Sequence, residues 1–318
     1  KEFSYTFAGV SLKYKVIDTD KKYVEVTKNR NVVGDLIIPE KVEDEDGVEY
    51  TVTGIGNQAL PKELNNVDYG NRISSVKIPS TVTVIGESAF ALEDTLTRVE
   101  IPASVTDIER WAFYWCTNLT DIKIEENSKL TIIKSSAFSA CKKLESFTIP
   151  QGVTTLWEKA FNHNDSLREL IIPDSVTSMG EGAFQNCSSI TSLILSEKLT
   201  AISRYAFANC SAIKGEIRIP DLVTDIYDEA FRNCKNVESV VLGTNIKNIG
   251  SNNYYYYSPF NEMTSVKEFM FTGTNVPNCP FEDLFYSMNS LETIFVPVET
   301  KDNFVDKFDK YKNNAVFS

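Results

Sequence analysis

The chain has 318 residues, with 32 Lys and Arg against 44 Asp and Glu, a formal net charge of −12. Such a surface repels phosphate backbones and anionic lipid, which argues against nucleic acid as a partner. With 42% apolar and 24% charged residues the chain can bury a core, and no run approaches the ~20 apolar residues of a membrane span.

It opens at Lys1-Glu2-Phe3 without Met or a charged-then-apolar leader. It looks like a mature or trimmed chain, so any export signal would lie outside this sequence. Residues 1–50 read as a small β cap followed by the first repeat strand. Phe3 to Phe7, Leu12 to Val16 and Tyr23 to Thr27 alternate apolar with polar residues, with turn signals at Ala8-Gly9 and Asp18 to Asp20. Leu36-Ile37-Ile38-Pro39 is the first repeat strand. The acidic stretch Glu40 to Gly47 lacks the ligand spacing of a calcium loop and reads as a solvated hairpin tip.

Residues 51–297 repeat. The unit is Leu-x-x-Val-x-Ile-Pro-x-x-Val-Thr-x-Ile-x-x-x-Ala-Phe-x-x-Cys, and its Ala-Phe pairs fall at 89–90, 112–113, 137–138, 160–161, 183–184, 206–207 and 230–231. Phe260 and Phe285 fill the slot in two degenerate later coils, and Ala59-Leu60 fills it in a degenerate first one. A fixed period of this length marks a solenoid of about nine to ten coils, each 23–29 residues long. In each coil one face of an Ile-x-Ile strand points inward, as in Val76/Ile78, Val99/Ile101, Ile122/Ile124, Phe147/Ile149 and Leu170/Ile172. Pro stops that strand, Val-Thr-x-Ile gives a second short strand, and Ala-Phe-x-x-Cys turns the chain back.

Insertions mark loops: two extra residues between Ile124 and Leu130, seven between Leu60 and Ile73, and six between Ile249 and Phe260, the last carrying Tyr254 to Tyr257. Residues 298–318 read as a C-terminal cap, with Phe304, Val305, Phe308 and Tyr311 at helical spacing.

At Ile101-Pro102-Ala103-Ser104-Val105-Thr106-Asp107-Ile108 with Ala112-Phe113, and at Ile219-Pro220 through Asp225-Ile226 with Ala230-Phe231, the chain resembles the BspA-like leucine-rich repeat family. The resemblance covers about residues 36–297. It implies a leucine-rich repeat solenoid: a right-handed, curved, mostly β superhelix with a parallel concave sheet, an N-terminal β cap and a C-terminal helical cap. It also implies a bacterial, exported or surface-anchored protein that binds host proteins, with no shared catalytic residues and no cofactor.

The residues that bear chemistry have structural readings. Cys116, Cys141, Cys187, Cys210 and Cys234 share one repeat slot with Glu93, Asn164, Met263 and Met288, as expected of a buried position holding free thiols; a one-sided column does not converge on a metal. The only histidine, His163, follows a repeat Phe and reads as turn filler rather than part of a triad. Three Asn-x-Ser sequons recur with the repeat phase.

The more informative pattern lies on the solvent side of the concave strands. It runs from polar Lys77, Glu100, Lys123 and Thr148 to Ile171, Ile194, Arg218, Val241, Met270 and Phe295, mostly apolar. Large exposed apolar patches mark contact surfaces, while β propensity alone also places such residues on a sheet. The ligand-binding candidates are therefore Ile171, Ile194, Arg218, Val241, Met270 and Phe295, together with the contact-type residues Tyr254, Tyr255, Tyr256 and Tyr257. The expected function is non-catalytic binding or adhesion to a protein, such as a host extracellular protein, through the concave sheet. The alternatives are a structural spacer or assembly module of a surface layer, and a glycan-binding module, for which the sequence offers exposed aromatics beside polar groups only in the Tyr254 loop.

Overall fold

The computed structural model describes residues 1–251, 256–280, 284–309 and 315–318. It divides into two compact units, Lys1–Val153 and Thr154–Ser318. Both are built from coils with three sides: a longer strand, a strand of two residues, and a turn.

In the first unit, Glu2–Phe7 pairs antiparallel with Val10–Asp18, which pairs antiparallel with Tyr23–Val26. Tyr23–Val26 then lies parallel to Glu49–Ile55, and from there the short strands Val84–Ile85, Asp107–Ile108 and Ile132–Ile133 add in parallel. The acidic stretch is a hairpin tip: Lys41–Glu43 pairs antiparallel with Glu49–Ile55, and the Asp44 carboxylate accepts the Asp46 and Val48 amides. On the long-strand side Val33–Ile37, Arg72–Lys77, Arg98–Ile101 and Asp121–Ile124 form a parallel sheet. Val76, Val99 and Ile101 are buried as the alternation predicts. Each Pro that ends a strand opens a turn closed three residues on, with the Val82, Val105 and Val153 amides donating to the carbonyls of Pro79, Pro102 and Pro150.

The regular strand expected at Phe147/Ile149 does not form; 145–149 is irregular backbone, and Ile122 and Ile124 remain half-buried. The two extra residues before Leu130 account for this. They carry the chain through Glu125 to Ser128, with Asn127 in the left-handed region, and a cleft of about 510 Å³ opens between Asp121–Ile124 and 146–152.

In the second unit the long strands form two parallel sheets. Glu169–Ile171 pairs with Ser192–Ile194, and Gly215–Arg218, Val237–Leu242, Glu268–Phe271, Thr293–Phe295 and Val316–Phe317 form a five-stranded sheet. The short strands pair as Thr155–Leu156 with Ser178–Met179, and as Ala201–Ile202, Asp225–Ile226 and Asn248–Ile249. Helix α1, Lys301–Phe308, buries Phe304 and Phe308 against Phe271, with ring centroids 5.0 and 5.4 Å away.

The turn side explains the Ala-Phe signature. The Phe90, Phe113, Phe161, Phe184 and Phe207 amides each donate to the carbonyl of the Ala before the next repeat Phe, at 2.8–2.9 Å. The residues two before and two after each Phe, from Phe90 to Phe231, have φ of 54–63°. That left-handed backbone costs an ordinary residue roughly 1–2 kcal/mol, offset in part by amides it aims at the next coil, such as Trp115 at Ser139 and Asn186 at Ala208. The buried Ala leaves room for this close approach, and identical backbone geometry stacks the rings in parallel. Phe90, Phe113 and Phe138 lie 5.2 Å apart with interplanar angles of 7° and 2°. Phe161, Phe184, Phe207, Phe231 and Phe260 follow one another at 5.3–6.0 Å and 1–12°. The column then gives way to edge-on packing, with Phe269 at 83° to Phe260 and Phe285 at 78° to Phe269.

Gly180 shows how tightly coils abut. A Cβ there would lie 2.3 Å from the Glu158 amide nitrogen and 2.6 Å from the Trp157 carbonyl carbon. Gly180→Ala should therefore destabilise the protein by about 1–3 kcal/mol in urea unfolding, since backbone rather than a flexible side chain must yield. An unchanged midpoint would show that the coils are loosely apposed.

Candidate functional site

The long-strand side of the second unit holds six of the candidate residues. Ile171 and Ile194 are directly paired on neighbouring parallel strands and are 61% and 54% exposed. Register places the next four in one row: Arg218 opposite Val241, Val241 opposite Met270, Met270 opposite Phe295. The ladder does not join Ser192–Ile194 to Gly215–Arg218, so the six residues fall into a pair and a row rather than one continuous stripe.

The expectation that Val241 is exposed is wrong; it is 5% exposed. Its cross-strand neighbours on that face are Arg218 and Met270, two long side chains that leave a Val between them little access to water. Met270 and Phe295 are half-buried. Arg218 is exposed and paired to Glu216 at 2.9 Å, so a charge interrupts the apolar run. A cleft of about 240 Å³ adjoins this point, with Arg218, Val241, Glu197 and Asp221 among its walls.

The tyrosine loop is a different surface. Tyr254 and Tyr255 lie outside the described residues. Tyr256 accepts a hydrogen bond from Arg204 Nη1 at 2.7 Å while the guanidinium sits 4.4 Å from its ring centroid, and its ring meets Tyr205 edge-on. Tyr257 is exposed, with the Arg232 guanidinium 5.8 Å from its ring centroid. Their partners are turn-side residues, so the structure does not gather Tyr256 and Tyr257 with the sheet-face candidates.

None of the six cysteines is in a disulfide, and all six are buried. The repeat thiols form a ladder in which Cys116, Cys141, Cys187, Cys210 and Cys234 each donate to the carbonyl of the Phe one coil back, at 3.1–3.4 Å. Burial raises every thiol in this ladder, Cys234 to about 12, so they stay protonated and serve packing rather than nucleophilic chemistry. The slot also holds Glu93. Its Oε2 accepts the Ile73 amide at 3.1 Å, its Oε1 has no partner among the described residues, and burial pushes its pKa up to about 7. His163 faces the Asn186 amide at 3.0 Å and the Asp165 carboxylate at 3.9 Å, neither of them a nucleophile. Among the described residues no three His, Cys, Asp or Glu side chains are grouped to hold a metal, and no helix is long and apolar enough to cross a membrane.

The sequence reading missed the tryptophans. Trp111 and Trp115, at the two left-handed positions of one turn, are 37% and 44% exposed. The signal was available, because the segment Trp111-Ala112-Phe113-Tyr114-Trp115 puts three aromatics into slots where the neighbouring coils carry mostly small residues.

Parallel strands stacked coil upon coil around an internal ladder of aliphatic and Phe side chains define a leucine-rich repeat protein. A family model described as BspA type leucine rich repeat region matches residues 65–191 and 154–302, in six copies. The chain belongs to the BspA-type leucine-rich repeat family. No curated protein matches it. Among solved structures, a leucine-rich repeat protein from Bacteroides ovatus is similar at 22% identity and a TM-score of 0.62, over 92% of this chain and 71% of that one. A leucine rich cell surface protein from Faecalibacterium prausnitzii is 21% identical with a TM-score of 0.40, over 85% of this chain and 95% of that one. The pneumococcal vaccine antigen PcpA is 18% identical with a TM-score of 0.42, over 96% of each chain.

Proposed function

We propose that this chain is a non-catalytic binding module, secreted or displayed on a bacterial cell surface, that engages a protein partner through the long-strand face of its second unit. The observation that carries this reading is the Ile171–Ile194 pair, two large apolar side chains held side by side on rigid strands and more than half open to water. Covering the open part of each is worth about 1–2 kcal/mol, enough to anchor an interface whose rim Arg218 and Glu216 supply. Family membership supports a binding scaffold over an enzyme, and the export implied by the family resemblance supports a host extracellular protein as the partner. In this reading the solenoid is right-handed and curved, the antiparallel opening strands cap one end, and helix α1 caps the other.

The test is binding of purified host extracellular matrix proteins by wild type and by an Ile171→Glu/Ile194→Glu variant whose circular dichroism and melting temperature match wild type. The expected result is a loss of at least about tenfold in affinity, or about 1.4 kcal/mol. Undiminished binding would remove this face from consideration. Concentration-dependent self-association with no binding to the panel would instead favour the spacer or assembly role.

A further inference from the structure

We propose that the turn side of the first unit carries a second, separate binding site, for an anionic saccharide, built on Trp111, Tyr114 and Trp115. Tyr114 sits between the two indoles, 6.5 Å from Trp111 and 6.2 Å from Trp115, with tilts of 52° and 48°. The flanking coils carry small residues at most of the matching slots: Ser88 and Ser136 beside Trp111, Ala91 and Ser139 beside Tyr114, Leu92 and Ala140 beside Trp115. The aromatic coil therefore stands above its neighbours as a ridge.

Cations attend the rings. The Arg110 guanidinium lies 4.3 Å from the Trp111 ring centroid and is paired to Glu87 at 3.0 Å. Lys142 Nζ lies 5.6 Å from the Trp115 ring centroid, and neither Lys142 nor the exposed Lys143 after it makes an ion pair among the described residues. An ammonium beside an exposed indole, with a second exposed lysine next to it in sequence, gives a chain of net charge −12 a local cationic spot that complements an anion.

The backbone decides between an acidic peptide and an acidic sugar. An extended peptide needs free amides and carbonyls to pair with. Here the Trp111, Phe113 and Trp115 amides already donate to the Ser135, Ala137 and Ser139 carbonyls of the next coil. What remains is ring faces and ammonium groups. Those are the contacts a pyranose carrying a carboxylate can use, its C–H face on the indole and its charge on lysine.

The substitutions that test this are already present in the repeat. Ser fills the Trp111 slot in both flanking coils, and Asn fills the Trp115 slot at Asn186, Asn209 and Asn233, where the left-handed backbone is retained. Trp111→Ser and Trp115→Asn should therefore fold, with melting curves as the control. The probe is a hyaluronan octasaccharide, which alternates carboxylated with neutral sugars, titrated calorimetrically against wild type, both variants, Trp157→Phe, and Lys142→Gln/Lys143→Gln. The expected result is that Trp111→Ser and Trp115→Asn each weaken binding about tenfold or more, that the lysine variant weakens it and flattens its salt dependence, and that Trp157→Phe leaves it unchanged. The proposal is overturned if wild type does not bind the octasaccharide, if neutral maltooctaose binds equally, or if the two tryptophan variants bind like wild type. Equal binding by an oligoglutamate of matched charge would overturn it in favour of an acidic protein partner. None of these outcomes depends on Ile171 or Ile194.

Discussion

Phe184→Ala should lower the unfolding free energy by about 3–5 kcal/mol, the range for a fully buried aromatic whose surroundings cannot collapse. Phe184 is 1% exposed and lies between two parallel rings, Phe161 at 5.3 Å and Phe207 at 5.8 Å. Its neighbours are fixed in turn by the amide ladder on one side and the thiol ladder on the other, so the void remains. Phe184→Leu, which restores most of the volume, should cost about 1–2 kcal/mol. Urea titration followed by circular dichroism measures both. Because coils contact mainly their neighbours, hydrogen exchange should accelerate first around Phe161 and Phe207. A cost below about 1 kcal/mol for the Ala variant would mean that the ring column is ornamental and that the aliphatic strands alone hold the coils.

Glu93 should make the first unit less stable in mild alkali than in mild acid. Burial raises its pKa from an ordinary 4.5 to about 7 in the folded protein. A carboxyl raised on folding binds its proton more tightly in the native state, so its contribution is most favourable below pH 4.5. That contribution falls as pH rises from 4.5 to 7 and stays low above it. At 1.36 kcal/mol per unit the total is about 3 kcal/mol. Glu93→Gln keeps an oxygen for the Ile73 amide and cannot ionise. It should match wild type at pH 4.5, exceed it by up to about 3 kcal/mol at pH 8, and show a flatter profile. Parallel stability profiles for the two proteins would refute the assignment.

The solenoid was legible because its core depends on period. Every position that had to be buried in every coil, Phe184 and Cys187 among them, recurs at fixed offset, and the structure buries both. Features that depend on neighbouring coils were not legible. Val241 looks exposed on its own strand and is covered only because register sets Arg218 and Met270 beside it. The segment 145–149 has the right residues for a strand, Phe147 and Ile149, yet is irregular after a two-residue insertion in the preceding coil. Trp111 and Trp115 were overlooked for the opposite reason: they occupy variable slots, which a search for the repeat discards. The exposure of Ile171 was legible because, on a two-residue alternation, it follows directly from its buried neighbours Leu170 and Ile172.

The ladders of the turn side have a consequence for how such a protein changes over generations. Every coil from Phe161 to Phe207 offers donors to the next one and acceptors to the last in the same places. A duplication or excision that spans one whole 23-residue interval rejoins surfaces that already fit, whereas a cut of any other size leaves a mismatched seam. Length is thus an inheritable variable that selection can adjust in discrete steps, adding or removing coils while each remaining coil keeps the side chains it bears.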